Sequence, residues 1–173
     1  MRFTTLLLTL SLSSSAALAQ EDARLLGTLR QIDRAPTPDE LRALGPHVVP
    51  ALRQLCTTPS NDNFTRGRAC RALGQLDVGV ETEKLLRRLA VDAKEDRLVR
   101  RGAVEGYMAG PAQVERQRAV TLLEELGRRE DSAVVFEDGL RAAAHRRMDG
   151  LTTLKRKLPQ KATQIDRVLA EPR

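Results

Sequence analysis

Aromatic residues are scarce in this 173-residue chain: Phe3, Phe64, Tyr107 and Phe136 are the full set, and Trp is absent. A core must therefore be filled by Leu, Val and Ala, an inventory suited to helices packed on helices and not to a β-sandwich. Two Cys are too few for a disulfide scaffold or a multi-cysteine zinc module, and two His leave little for a histidine-based metal site. Beyond the first twenty residues no apolar run approaches the roughly 20 residues that a membrane-spanning helix requires. The glycines are scattered, forming neither a phosphate-cradling loop nor a dinucleotide fingerprint, and no Ser sits in a nucleophile elbow. What the chain does contain is 41% apolar and 30% charged residues, enough to bury a sizeable core and too apolar for disorder.

The opening places a lone Arg2 before the apolar run Phe3 to Leu12, then a Ser/Ala tail ending Ala17-Leu18-Ala19. This reads as a secretory signal peptide over residues 1–19, cleaved between Ala19 and Gln20, with a mature domain over 20–173. The alternative, an uncleaved anchor, is opposed by an apolar stretch about half the spanning length. A periplasmic or secreted protein without a transmembrane span is expected.

The formal charge of +6 is unevenly spread. From Gln20 to Asp138 there are 19 Lys and Arg against 20 Asp and Glu, whereas Gly139 to Arg173 carries 9 against 3. The basic surplus lies in the last 35 residues.

From Glu21 onward, apolar residues return at three- and four-residue spacing, cut by Pro, Gly and Asp into segments of helical length. The pattern predicts helices near 21–33, 38–44, 46–57, 62–76, 79–91, 96–108, 111–127, 132–146, 148–158 and 161–170. Pro38, Pro46 and Pro111 suit first helical turns, Asp62 and Asp131 suit N-caps, and Pro159 ends the penultimate helix.

These helices recur as a unit. Asp62-x-x-Thr65-Arg66-x-x-Ala69-x-x-Ala72-Leu73-Gly74 is followed 34 residues later by Asp96-x-x-Val99-Arg100-x-x-Ala103-x-x-Gly106-Tyr107-Met108. A looser copy, Glu137-x-x-Leu140-Arg141-x-x-Ala144, comes 41 residues further on. The acid and the Arg are four apart and can pair on one face, while the small residue after them lets a neighbouring helix come close. Each copy hands over to a Leu-rich second helix, through Leu85-Leu86-x-x-Leu89, Leu122-Leu123-x-x-Leu126 and Leu151-x-x-Leu154.

This arrangement resembles HEAT repeats of the bacterial HEAT-like form, in which helix pairs stack into a curved α-solenoid. Gly45-Pro46-His47-Val48-Val49-Pro50-Ala51-Leu52 is similar to the start of a second helix in such a unit, and the resemblance spans roughly Asp39 to Leu158. It implies an all-α superhelix of about four helix pairs, with 21–33 and 161–170 as polar-faced caps and a concave surface lined by the second helix of each pair. It also implies that Arg66, Arg100 and Arg141 form a structural ladder along the stack; an anion-binding track is the alternative.

Cys56 and Cys70 have 13 residues between them, in a compartment that permits a disulfide. Cys56 ends one predicted helix and Cys70 lies about two turns into the next, an axial offset near 10 Å, against a bridging limit of about 7 Å between Cα atoms. Two buried thiols are expected, with a disulfide as the alternative. His47 and His145 read as ordinary surface or helix-end residues, and Ser60 and Ser132 as loop or cap residues. No metal, cofactor or catalytic set is indicated.

The functional expectation is an exported, non-catalytic scaffold for protein–protein interaction. Its candidate partner-binding residues are Arg146, Arg147, Lys155, Arg156, Lys157 and Lys161, a cluster that favours an acidic partner. The alternative is a module for anionic envelope polymer or nucleic acid through the same basic surface. Export and the lack of stacking aromatics oppose nucleic acid.

Overall fold

The computed structural model of the protein describes residues 23–31, 33–146 and 150–171, apart from the side chain of Arg116. The expected signal peptide, its cleavage point and Arg147 lie outside the described residues. Helices are α1 (23–29), α2 (Pro38–Arg42), α3 (Val48–Thr57), α4 (Asn63–Leu76), α5 (Val80–Val91), α6 (Arg97–Ala109), α7 (Pro111–Val114), α8 (Arg116–Gly127), α9 (Ala133–His145), α10 (Leu151–Lys157) and α11 (Ala162–Ala170). Among the described residues there is no strand.

The helix boundaries follow from local chemistry. Thr37 and Glu40 cap α2 reciprocally, and the carboxylates of Asp62 and Asp96 accept from the first-turn amides of α4 and α6. Pro38 and Pro111 open α2 and α7, as expected. Pro46 does not open α3, which begins at Val48 behind a turn in which Gly45 takes φ of 110°. The expected helix over 111–127 is two, because Glu115 adopts an extended conformation. That break re-aims α8 so that Ala119, Leu122, Leu123 and Leu126 all enter the core.

Alternate helices form two rows. The first holds α2, α4, α6, α9 and α11, and the second α3, α5, α8 and α10; across the rows the helices pair as α3/α4, α5/α6, α8/α9 and α10/α11, with α2 closing one end. The protein is thus an all-α superhelix of helix pairs. The core between the rows is Leu, Val and Ala, with Phe136 the one fully buried aromatic among the described residues.

The rows are unequally spaced. A Cβ added at Gly102 would stand 2.0 Å from the Gly67 carbonyl oxygen, one at Gly74 2.2 Å from that of Gly106, and one at Gly110 1.8 Å from that of Gly74. Glycines that read as scattered in the sequence therefore let α4 and α6 pack backbone on backbone, while α3 and α5 make only marginal contact. A stack of such wedges bends toward its narrow side. The concave side is therefore the first row, whose α4 and α6 carry the Asp and Arg motif, and the Leu-rich second row lies on the wider side.

The repeat register also needs correction. Counted from the cap positions Asp62 and Asp96, the buried sets Thr65, Arg66, Ala69, Cys70 and Val99, Arg100, Ala103, Val104 match Val135, Phe136, Gly139, Leu140 counted from Ser132. Phe136 therefore occupies the Arg position of the third unit. The Glu137/Arg141 pair lies five residues later, on the surface, where it imitates the motif. Asp131 is not an N-cap; it sits in a one-turn 3-10 helix, Glu130–Ser132.

Arg66 and Arg100 do form a ladder, by a different route from the one expected. Asp62 and Asp96 are occupied as caps, so each Arg reaches the turn that opens the next unit. Buried Arg66 makes a bidentate pair with Glu95 (2.9 and 2.6 Å), and buried Arg100 donates to the Asp131 carbonyl (3.3 Å) and the Ser132 hydroxyl (2.5 Å). Arg141 is half-exposed and pairs with Glu137 and Glu171.

Cys56 and Cys70 are joined in a disulfide, with Cα atoms 5.0 Å apart. The offset argument fails because it set α3 and α4 level at their joined ends. The loop 58–62 carries the chain past the end of α3, so that the second turn of α4 returns beside Cys56.

Candidate functional site

The glycine contacts that close up α4 and α6 also leave a trough along their outer face. Two cavities, of about 330 and 230 Å³, share Arg71, Arg101 and Glu105 in their linings and so form one continuous groove across α4, α6 and α9. The first continues past Arg34, Phe64, Arg68 and Leu98, and the second past Asp138, Arg141, His145 and Arg146.

The repeat register explains the arrangement. Nine residues beyond each cap position stand Arg71, Glu105 and Arg141, and two residues beyond each stand Phe64, Leu98 and Val134. The last three are exposed by 39, 46 and 45% despite their apolar character. A charged band thus runs beside an apolar stripe across the first row. The Arg68 guanidinium lies 4.5 Å from the Phe64 ring centroid and also donates to the carbonyls of Leu29 and Arg34, which ties the end of α1 to α4.

Glu105 holds the middle of the groove, pairing with Arg71 Nη1 at 3.0 Å and Arg101 Nε at 2.9 Å. Arg101 also lies 3.8 Å from Asp138 Oδ2. Burial raises the Asp138 carboxyl above the usual range, against the pull of Arg101. Arg146 is the exception. Burial lowers its pKa, and Arg71 adds like-charge repulsion. Among the described residues its side-chain hydrogen bond runs from Nη1 to the Ala142 carbonyl at 3.1 Å and no carboxylate forms an ion pair with it, though Glu105 attracts it from across the groove. Two further buried polar atoms in this groove, Arg71 Nε and Asp138 Oδ2, lack a hydrogen-bond partner among the described residues.

The basic residues singled out from the sequence are not brought to one place. Arg146 enters the groove, whereas Lys155 pairs with Asp166 of α11 at 2.5 Å and Lys157 with Glu124 of α8 at 2.6 Å. Their neutralising partners come from other helices, which local charge counting does not see. Arg156 is exposed at the end of α10, and Lys161 closes the following 3-10 turn. His145 lines the groove and His47 sits exposed before α3. Among the described residues no group of His, Cys, Asp and Glu could hold a metal ion. No described helix is long and apolar enough to cross a membrane.

In comparisons with known proteins, no family model, no curated protein and no solved structure matches the chain.

Proposed function

We propose that the protein is an exported, HEAT-type helical scaffold that binds a protein partner without chemistry of its own. The observation that carries this reading is the continuous groove across α4, α6 and α9, in which exposed charged and apolar side chains stand on a rigid, fully packed row of helices. Repetition of one helix unit makes such a surface extended and addressable along its length. The recurrence of the Asp and Arg motifs supports the HEAT assignment, and the opening Arg2, apolar run and Ala17-Leu18-Ala19 support export. Of the basic C-terminal residues, Arg146 acts within the groove and Arg156 and Lys161 add to the positive field at the end of the stack, while Lys155 and Lys157 are neutralised by Asp166 and Glu124.

Affinity capture from envelope extract tests the reading. The wild type retains a partner that Arg101→Glu with Arg141→Glu releases, while the triple variant Lys155→Glu, Arg156→Glu, Lys157→Glu weakens it less. Capture unchanged by the groove variant overturns the assignment. Intact mass of the recovered protein, expected to start at Gln20, tests export; a mass that retains residues 1–19 overturns it.

A further inference from the structure

We propose that the groove receives an extended acidic segment of a partner protein, one carboxylate of which seats against Arg146 and Arg71 while an apolar side chain further along rests on Phe64 and Leu98. This rests on the protein-binding reading above and gives it a chemistry.

Three observations converge on a carboxylate. Arg146 presents a guanidinium that is half-buried, faces Arg71 as a second cation and, among the described residues, is joined only to a backbone carbonyl, while Glu105, the carboxylate that attracts it, is already paired with Arg71 and Arg101. A planar guanidinium fork matches a carboxylate with two parallel hydrogen bonds. The cavity of about 230 Å³ in front of it is several times the roughly 30 Å³ share of one water, enough for a carboxylate with its nearest solvent.

The rest of the groove selects a peptide over other polyanions. Glu105 and Asp138 are interleaved with Arg71, Arg101 and Arg141, so positive charge comes in separate places. A nucleic-acid backbone, with a phosphate about every 3.4 Å per strand, would meet these carboxylates along its path. The apolar stripe has nothing to offer a sugar–phosphate chain, but it suits aliphatic side chains. Phe64 and Leu98 line only the first of the two cavities and Arg146 only the second, with Arg71 shared by both, so the apolar and acidic contacts fall at different places along the segment. Phe64 stands seven residues before Arg71 on α4, about 10 Å at 1.5 Å per residue, so about three extended residues separate the apolar contact from the acidic one.

The test is fluorescence anisotropy with the full mature chain, disulfide intact, and a labelled seven-residue peptide carrying leucine at one end and glutamate at the other positions. Saturable binding is expected, weakened about tenfold or more by Arg146→Ala, as follows from the loss of a charge-assisted hydrogen-bond pair. Arg146→Lys, which keeps the charge and loses the fork, guards against misfolding and is expected to weaken binding by a smaller factor. Lys84→Ala, on the second row, is expected to bind as wild type. The inference is overturned if the glutamate peptide shows no saturable binding, if a serine-substituted peptide binds equally well, if both Arg146 variants bind as wild type, or if a short DNA duplex displaces the peptide at lower concentration. The broader protein-binding reading survives each of those results and falls only if reversing Arg101 and Arg141 leaves partner capture unchanged.

Discussion

Replacing Gly102 by Ala tests the close packing of α4 on α6, the feature that sets both the curvature and the groove. A Cβ at this position would sit 2.0 Å from the Gly67 carbonyl oxygen, 2.5 Å from its carbon and 2.7 Å from its Cα. Ordinary contact begins near 3.4 Å, so the two helices must part by more than an ångström. All three atoms are backbone, and no rotamer change can relieve the clash. Overpacking of this kind costs about 1–3 kcal/mol, and the rigidity of the obstacle places Gly102 at the upper end. Ala recovers about 1 kcal/mol of helix propensity, leaving a net loss of about 2 kcal/mol. For a chain of this size that is a drop in Tm of about 4–8 °C. Gly27→Ala is the counterpart, because a Cβ there meets nothing within 4 Å and propensity acts alone. It is expected to stabilise by up to about 1 kcal/mol. Denaturant and thermal melts followed by helical circular dichroism separate the two. If Gly102→Ala is as stable as the wild type, the backbone contact is not there and the first row is not the narrow side.

Arg66→Ala leaves the Glu95 carboxylate without its bidentate partner in a mostly buried setting and is expected to cost about 3 kcal/mol, whereas Arg156→Ala on the exposed end of α10 costs less than about 0.5 kcal/mol; urea melts compare them. The double variant Cys56→Ala, Cys70→Ala removes a cross-link closing a short loop and is expected to lose about 3 kcal/mol, and thiol titration of the native wild type is expected to find no reactive thiol; two titratable thiols would refute the bridge. Tyr107 is the only tyrosine, so absorbance near 295 nm follows its ionisation directly. Burial, then the neighbouring Glu83 carboxylate, pushes its pKa up to about 12, against about 10 in the unfolded chain. The folded state therefore holds the phenol proton more tightly, and the stability it contributes is complete below pH 10 and lost as pH rises from there through 12. A folded-state midpoint near 10 would refute the burial.

Much of the fold was legible in the sequence because it is set locally. Apolar spacing gave the helices, Asp62, Asp96, Pro38 and Pro111 marked their beginnings, and the exact match between the Asp62 and Asp96 segments exposed the repeat. The candidate site was less legible. Arg146 was singled out as one of six basic residues near one another in sequence, but Arg71 and Arg101 were passed over, and the shared signal, one position repeated from unit to unit, was hidden by a third copy aligned five residues out of register. Glu137 and Arg141 keep the motif's spacing on the surface while Phe136 fills its place in the core, and only burial distinguishes the two.

Sequence by itself determined that this chain makes amphipathic helices with a Leu, Val and Ala core and that they pair and repeat, since periodicity and capping act over a few residues. Tertiary structure alone decided that Cys56 meets Cys70, that Lys155 and Lys157 find acids on other helices, and that the first row is concave with a groove of arginines along it. Each of those outcomes depends on how far one helix slides or closes against another, and such displacements arise from groups some 11 to 40 residues apart meeting in space, beyond the reach of any local pattern.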